Sequence, residues 1–151
     1  LLHCDVLTLT ELVYCFAPGS CPEGWQPGDL FPSGLAARPQ LLAQPSSTLR
    51  GLQDALLPQI FSEMPPAACE GQMHILRQLA NLGIADSLLP LNLIERRHHN
   101  RCAALNPPQP LYLLLGHHVG RTLPEVSEEL MGLIRASLTD VLALPASEET
   151  G

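Results

Sequence analysis

The sequence predicts an all-α fold: a single-domain helical bundle or short helical array of five to six helices, with a Pro/Gly-rich loop near the N-terminus. Three observations carry this prediction. Leucine supplies 31 of the 151 residues and hydrophobic residues make up 46%. Apolar positions recur at helical spacing in several segments. Proline and glycine interrupt the chain between those segments. Aromatic residues are only 4%, so the expected core is aliphatic. A chain of this length is about one domain. Residues 1–145 are assigned to it and 146–151 to a frayed acidic tail. Leu1 is not a start methionine, and the reading is of a piece of a longer protein.

The elements follow in order. Leu2, Val6, Leu9, Leu12, Val13 and Phe16 fit a 3.6-residue period, which predicts a helix over Leu2 to Phe16. Ala17-Pro18-Gly19 ends it. From there to Gly34, Pro18, Pro22, Pro27 and Pro32 alternate with Gly19, Gly24 and Gly28, which specifies a loop. Trp25, Leu30 and Phe31 within it predict an ordered strap over the core. Ser46-Ser47-Thr48 offers an N-cap for a second helix with Leu49, Leu52, Leu56 and Ile60 inward, and Pro58 should kink or restart it. The next helix is expected from Ala67 to Leu82, with Ile75, Leu76, Leu79 and Leu82 inward and Gly83 as its left-handed cap. A fourth should begin after a cap at Asp86 or Ser87 and end near Cys102. Leu111 to Leu115 shows no period and fits a buried strand or a helical turn equally. Thr122-Leu-Pro-Glu125 has the form of a capping box. Val126, Leu130, Leu133, Ile134, Leu138, Val141 and Leu142 follow it at helical spacing.

Charge narrows the function. The net charge is −7, and all eight basic residues are arginine, so lysine-based catalysis is excluded. An acidic chain is poorly suited to phosphate backbones or anionic membranes, and neither nucleic acid nor membrane is expected as a partner. No apolar run approaches the roughly 18–20 residues of a membrane span. The five cysteines include no Cys-x-x-Cys pair and read as free intracellular thiols, in cytoplasm or nucleus. The alternative is a secreted chain with two bridges and one spare thiol.

The densest chemistry lies in Arg96-Arg-His-His-Asn-Arg-Cys102. His98 or His99 with Cys102 could share a helix face and offer two metal ligands, but structural zinc needs four. The expected role is a basic helix end, where cations are favoured. Gly116 to Thr122 resembles a phosphate-binding loop in context only, since three residues separate its glycines and no lysine follows. No nucleophile elbow, zinc-protease motif or calcium loop occurs. No catalytic, cofactor-binding or metal residue is therefore assigned, and the chain is expected not to be an enzyme.

The function predicted from these residues is an interaction or scaffold module, part of a subunit of an intracellular complex, with other protein subunits as partners. Surplus apolar stripes would be covered by a partner. The candidate partner-binding residues are Arg96, Arg97, Arg101, Val126, Leu130 and Leu133. The second reading is a secreted cytokine-like helical ligand that presents helix faces to receptors.

Overall fold

The computed structural model describes residues 2–118 together with Glu129 and Leu133, and side chains within 9–112 and at those two positions. The chain divides into two compact units, Leu1–Glu11 with Pro110–Gly151, and Leu12–Gln109. The fold is α/β, built on a five-stranded sheet in the order β3-β2-β4-β1-β5. The expected all-α bundle of five to six helices is therefore overturned.

The first predicted helix is strand β1, Leu2–Cys15. Its Val, Thr and Tyr content favours extended backbone. Leu12 to Phe16 are all buried, so no two-residue alternation marks this end of the strand. The Pro/Gly-rich stretch is the ordered strap. The Trp25 ring packs edge-on against Phe16 with centroids 5.1 Å apart, and Phe31 lies 4.7 Å from Tyr14. The Phe31 N–H reaches the Ala104 carbonyl at 2.8 Å. Five of the six aromatic residues thus gather around Tyr14 and Phe16. The core is aliphatic only away from the strap.

Strand β2, Gln40–Ala43, is buried throughout. Helix α1, Thr48–Phe61, follows it, with the Ser47 hydroxyl accepting from the Leu49 N–H as the sequence suggests. The helix runs unbroken through Pro58. Its buried residues are Leu49, Gln53, Leu57 and Phe61, a stripe one position round from the expected Leu52, Leu56 and Ile60. The third predicted helix is in part strand β3, Ala67–Gly71, before α2, Met73–Leu82. Leu76 and Ala80 face inward, while Ile75 and Leu82 are exposed. Gly83 caps α2 in the left-handed region at φ 74°, and a Cβ there would run into the Pro18 ring.

The fourth predicted helix does not form. Asp86–Pro90 is strand β4, followed by two short 3-10 turns over Leu91–Leu93 and Arg96–Arg101. Asn81 of α2 holds these turns: its amide donates to the Leu93 carbonyl at 3.0 Å and accepts from the Glu95 N–H at 2.8 Å. Strand β5, Cys102–His118, takes in both the proline run and Leu111–Leu115. It lies at the sheet edge, where a missing N–H leaves no partner strand unpaired. His117 and His118 close this strand, so the first half of the Gly116–Thr122 turn is extended backbone. The predicted last helix, including Val126 and Leu130, and the acidic tail lie outside the described residues. Glu129 and Leu133 are helical, and Leu133 is exposed.

Strands β2 and β3 are parallel, β4 runs parallel to β2, and β1 is antiparallel to β4. Helix α1 connects β2 outward to β3, and α2 connects β3 back past β2 to β4. Right-handed crossovers in opposite directions put the two helices on opposite faces of the sheet. The uninterrupted burial of β2 agrees with cover on both sides.

Candidate functional site

The sheet of the Leu12–Gln109 unit has two polar ends. At the amino ends of β2 and β4 the buried Asp86 carboxylate is the hub. It accepts from the Tyr14 hydroxyl at 2.7 Å, the Ala17 N–H at 2.8 Å and the Ser20 hydroxyl at 2.9 Å. Arg38 pairs with it at 3.2 Å, and the same guanidinium donates twice to the Ser20 carbonyl. The Gln40 amide donates to the Tyr14 oxygen at 2.7 Å and to the Arg38 carbonyl at 2.9 Å. Burial first, and then the Asp86 charge, push the Tyr14 hydroxyl far above its ordinary range. Every oxygen of the carboxylate is used, so this end is a closed structural knot.

The carboxyl end differs. Strands β2 and β4 pair only at Gln40 with Asp86 and Leu41 with Ser87. Beyond that point Gln53 of α1, wholly buried, takes the place of the ladder. Its carbonyl oxygen accepts from the Ala43 N–H at 2.8 Å, and its amide donates to the Leu41 carbonyl at 3.3 Å and the Leu88 carbonyl at 3.1 Å. After β2 the chain turns toward β3. After β4 it leaves in the opposite direction, toward β5. This reversal is a topological switch point, and in open α/β sheets ligands bind outside the carboxyl ends of the strands at such a point.

The loop over the switch point is Gln44–Ser47, tied down by Gln44 N–H to the Gly71 carbonyl at 3.1 Å and Ser47 N–H to the Gln44 carbonyl at 2.9 Å. Gln44, Ser46 and Thr48 are exposed there, at the positive end of the α1 dipole. Arg50, one turn in, donates to the Ala43 carbonyl at 2.9 Å, to Glu70 at 2.8 Å and to Asp54 at 2.9 Å. Those two carboxylates hold its pKa above the usual guanidinium value.

The residues singled out from the sequence do not assemble into one surface. Arg96 and Arg97 are exposed on a 3-10 turn rather than a helix end, and Arg97 meets Glu95 at 2.6 Å. Arg101 points inward: it is buried and donates to the Phe16 carbonyl at 2.6 Å. His99 contacts the Ile94 carbonyl at 2.8 Å. Burial first, then the Arg101 and Arg97 charges, lower the His98 pKa. Among the described residues no three His, Cys, Asp or Glu side chains converge as metal ligands, and no helix is long and apolar enough to cross a membrane. Sequence reasoning missed Asp86, taken for a helix cap, and Gln53. The signal for Gln53 was a lone amide in the apolar series Leu49, Leu57, Phe61.

No family model matches the sequence, and no curated protein matches it. Solved structures do resemble the fold. The regulatory domain of CcmR from Synechocystis PCC6803, in complex with 2-PG, aligns over 90% of this chain and 66% of its own at 13% identity, with a TM-score of 0.66. Full-length HypT from Salmonella typhimurium, a hypochlorite-specific LysR-type transcriptional regulator, aligns over 93% of this chain and 47% of its own at 17% identity, TM-score 0.64. The effector binding domain of QuiR, in complex with shikimate, aligns over 90% and 65% at 18% identity, TM-score 0.62. The chain thus spans from about half to just under two thirds of the length of these structures. The expected scaffold module and the cytokine-like ligand are both overturned. Each needed the helix faces of an all-α bundle, and the structures with this fold are effector-binding and regulatory domains.

Proposed function

We propose that the chain is the effector-binding region of a LysR-type transcriptional regulator and that it binds a small polar molecule without transforming it. The observation that carries the reading is the fold: TM-scores of 0.62–0.66 over 90–93% of the chain to domains of that kind. The switch point between β2 and β4 supplies a place for the effector, with the Ser46 and Thr48 hydroxyls and the start of α1 as its polar groups. A helix start favours negative charge, so the effector is an organic anion. On this reading the net charge of −7 belongs to the sensing part of the regulator, and DNA is contacted by another part. The expected exclusion of nucleic acid is not supported for such a regulator. The place of action is the cytoplasm, and the nucleus drops out because the named neighbours are bacterial proteins.

The test is titration of small carboxylic acids against the isotope-labelled chain, followed by backbone amide shifts. Saturable shifts clustered at residues 44–50 are expected. Ser46→Ala with Thr48→Val should weaken binding about tenfold, as loss of one or two hydrogen bonds to an anion implies. Saturable binding mapped elsewhere sinks the site. No saturable binding of any acid in the panel sinks the proposal.

A further inference from the structure

Strand β1 ends at Cys15 and β5 begins at Cys102. The two strands are neighbours in the sheet, and just beyond both thiols the Phe16 N–H donates to the Arg101 carbonyl at 2.9 Å. The end of one strand therefore lies against the start of the other, with Cys15 and Cys102 as the terminal cross-strand pair. Opposed residues of an antiparallel pair have Cα atoms about 4.5–5.5 Å apart, within the roughly 4.4–6.8 Å that a disulfide spans. All four described cysteines, Cys15, Cys21, Cys69 and Cys102, carry free thiols.

Arg101 gives this pair its chemistry. It is only 9% exposed, and among the described residues no carboxylate pairs with it. One terminal nitrogen, Nη1, donates to the Phe16 carbonyl and lies 3.9 Å from the Cys15 sulfur. The other, Nη2, is buried with no hydrogen-bond partner among the described residues. An interior cation needs an anion beside it, and the acid at hand is a thiol. We propose that Cys15 and Cys102 are a redox-active dithiol, with Cys15 as nucleophile and Arg101 as its counter-ion, which a hydroperoxide converts to a disulfide joining β1 to β5.

The balance is that of two thiols and one peroxide. The Cys15 thiolate attacks a peroxide oxygen, an S–O bond forms as the O–O bond breaks, and the departing oxygen leaves as water or alcohol after taking a proton. The Cys102 sulfur then attacks the sulfenic acid on Cys15, the S–S bond forms, and the hydroxyl leaves with the Cys102 proton as water. The acidities agree with these roles. Hydrogen bonding from Cys102, and then the Arg101 charge, hold the Cys15 thiol below its ordinary range against the effect of burial. Cys102 is pushed far up, by the neighbouring Cys15 first and then by burial, so it keeps the proton. Cys15 is 1% exposed and Cys102 half-buried, so on this proposal the peroxide enters past Cys102. Cys21, exposed in the strap and raised by burial of its sulfur, is the internal control.

The experiment treats the reduced full chain with hydrogen peroxide, blocks remaining thiols with iodoacetamide and maps peptides by mass. A dithiothreitol-reversible cross-link between the Cys15 and Cys102 peptides is expected, formed while Cys21 is still free. In Cys102→Ser the reaction should stop at a sulfenic acid on Cys15, trapped by a cyclic 1,3-dione. Arg101→Met should slow cross-linking at least about tenfold by removing the thiolate's counter-ion, and Arg101→Lys should recover part of the rate. Because the cross-link is read on the unmodified chain, loss of fold in a variant does not shield the proposal. Cys15 and Cys102 remaining alkylatable while Cys21 oxidises, or a cross-link through Cys21 instead, overturns it.

Discussion

The two ends of one sheet are held by opposite means. At the amino end a charge is buried and both of its oxygens are used: Asp86 collects Tyr14, Ser20, Arg38 and the Ala17 N–H. At the carboxyl end no charge is buried among the described residues, and a single neutral amide, Gln53, spans the gap between β2 and β4. A buried ion pair is costly unless fully satisfied, so it belongs where nothing has to enter or leave. A neutral wedge keeps the strands splayed beneath a polar loop, which is what a ligand site at a switch point requires. Buried charge therefore marks the structural end here, while the end proposed for binding carries its charges, Arg50, Asp54 and Glu70, outside the interior.

The sharpest way to break this comparison is at Asp86. Asp86→Ala leaves the buried Tyr14 hydroxyl and the half-buried Arg38 guanidinium without the carboxylate that both meet. Removing one member of a buried pair costs about 3–5 kcal/mol, and denaturant unfolding should show a loss of that size. Where the variant is still folded, the affinity of any ligand at residues 44–50 should be unchanged. A variant of wild-type stability, or one with altered affinity, would show that the knot is not purely structural.

Gln53 comes next. Gln53→Leu keeps the volume but leaves the Ala43 N–H and the Leu41 and Leu88 carbonyls without this partner. Unsatisfied buried groups cost about 1–3 kcal/mol each, partly relieved if β2 and β4 close together, so a net loss of about 2–3 kcal/mol is expected. Unlike the Asp86 variant, this one should also weaken ligand binding, since closing the strands removes the splay.

A pH scan probes the amino end by itself. The folded pKa of Tyr14 is raised, so its contribution to stability is fully present below the unfolded value of about 10 and is lost as pH rises from there through the folded value. The melting temperature should fall above about pH 10, and Tyr14→Phe should flatten that decline while lowering stability at neutral pH. A decline of equal steepness in Tyr14→Phe would assign the alkaline loss to other groups.

The same residues explain what the sequence could and could not reveal. Helix α1 was legible because its cap is local, with Ser47 acting on Leu49 two residues away, although its inward stripe lies one position round from the expected one. Gly83 was legible for the same reason. Strands β1 and β4 were not. Leu12–Phe16 and Asp86–Leu89 are buried on both faces, so no alternation separates them from a buried helix. Asp86 looks like a helix cap because caps and buried hubs use the same short acceptor; the partners that distinguish them, Tyr14 and Arg38, lie 72 and 48 positions away. Leucine surplus pointed to helices because its helix propensity is high, yet tertiary burial overrides propensity in strands. The switch point was illegible for a related reason, since it is a property of strand order and not of any motif.

The smallest expected effect tests the carboxyl end alone. Ser47 accepts from the Leu49 N–H at 3.1 Å, one of the donors at the helix start that have no partner within the helix. Ser47→Ala removes that acceptor and should cost about 1 kcal/mol, far less than either change above, because the freed N–H can turn to water at an exposed loop. The same change leaves one more N–H at the helix start available to an anion. If the start of α1 holds the effector, Ser47→Ala should lower stability without weakening binding, while Ser46→Ala with Thr48→Val does the reverse. Chemical denaturation beside calorimetric titration separates the two responses. Parallel losses of stability and affinity in both variants would mean that the loop merely supports a ligand bound elsewhere.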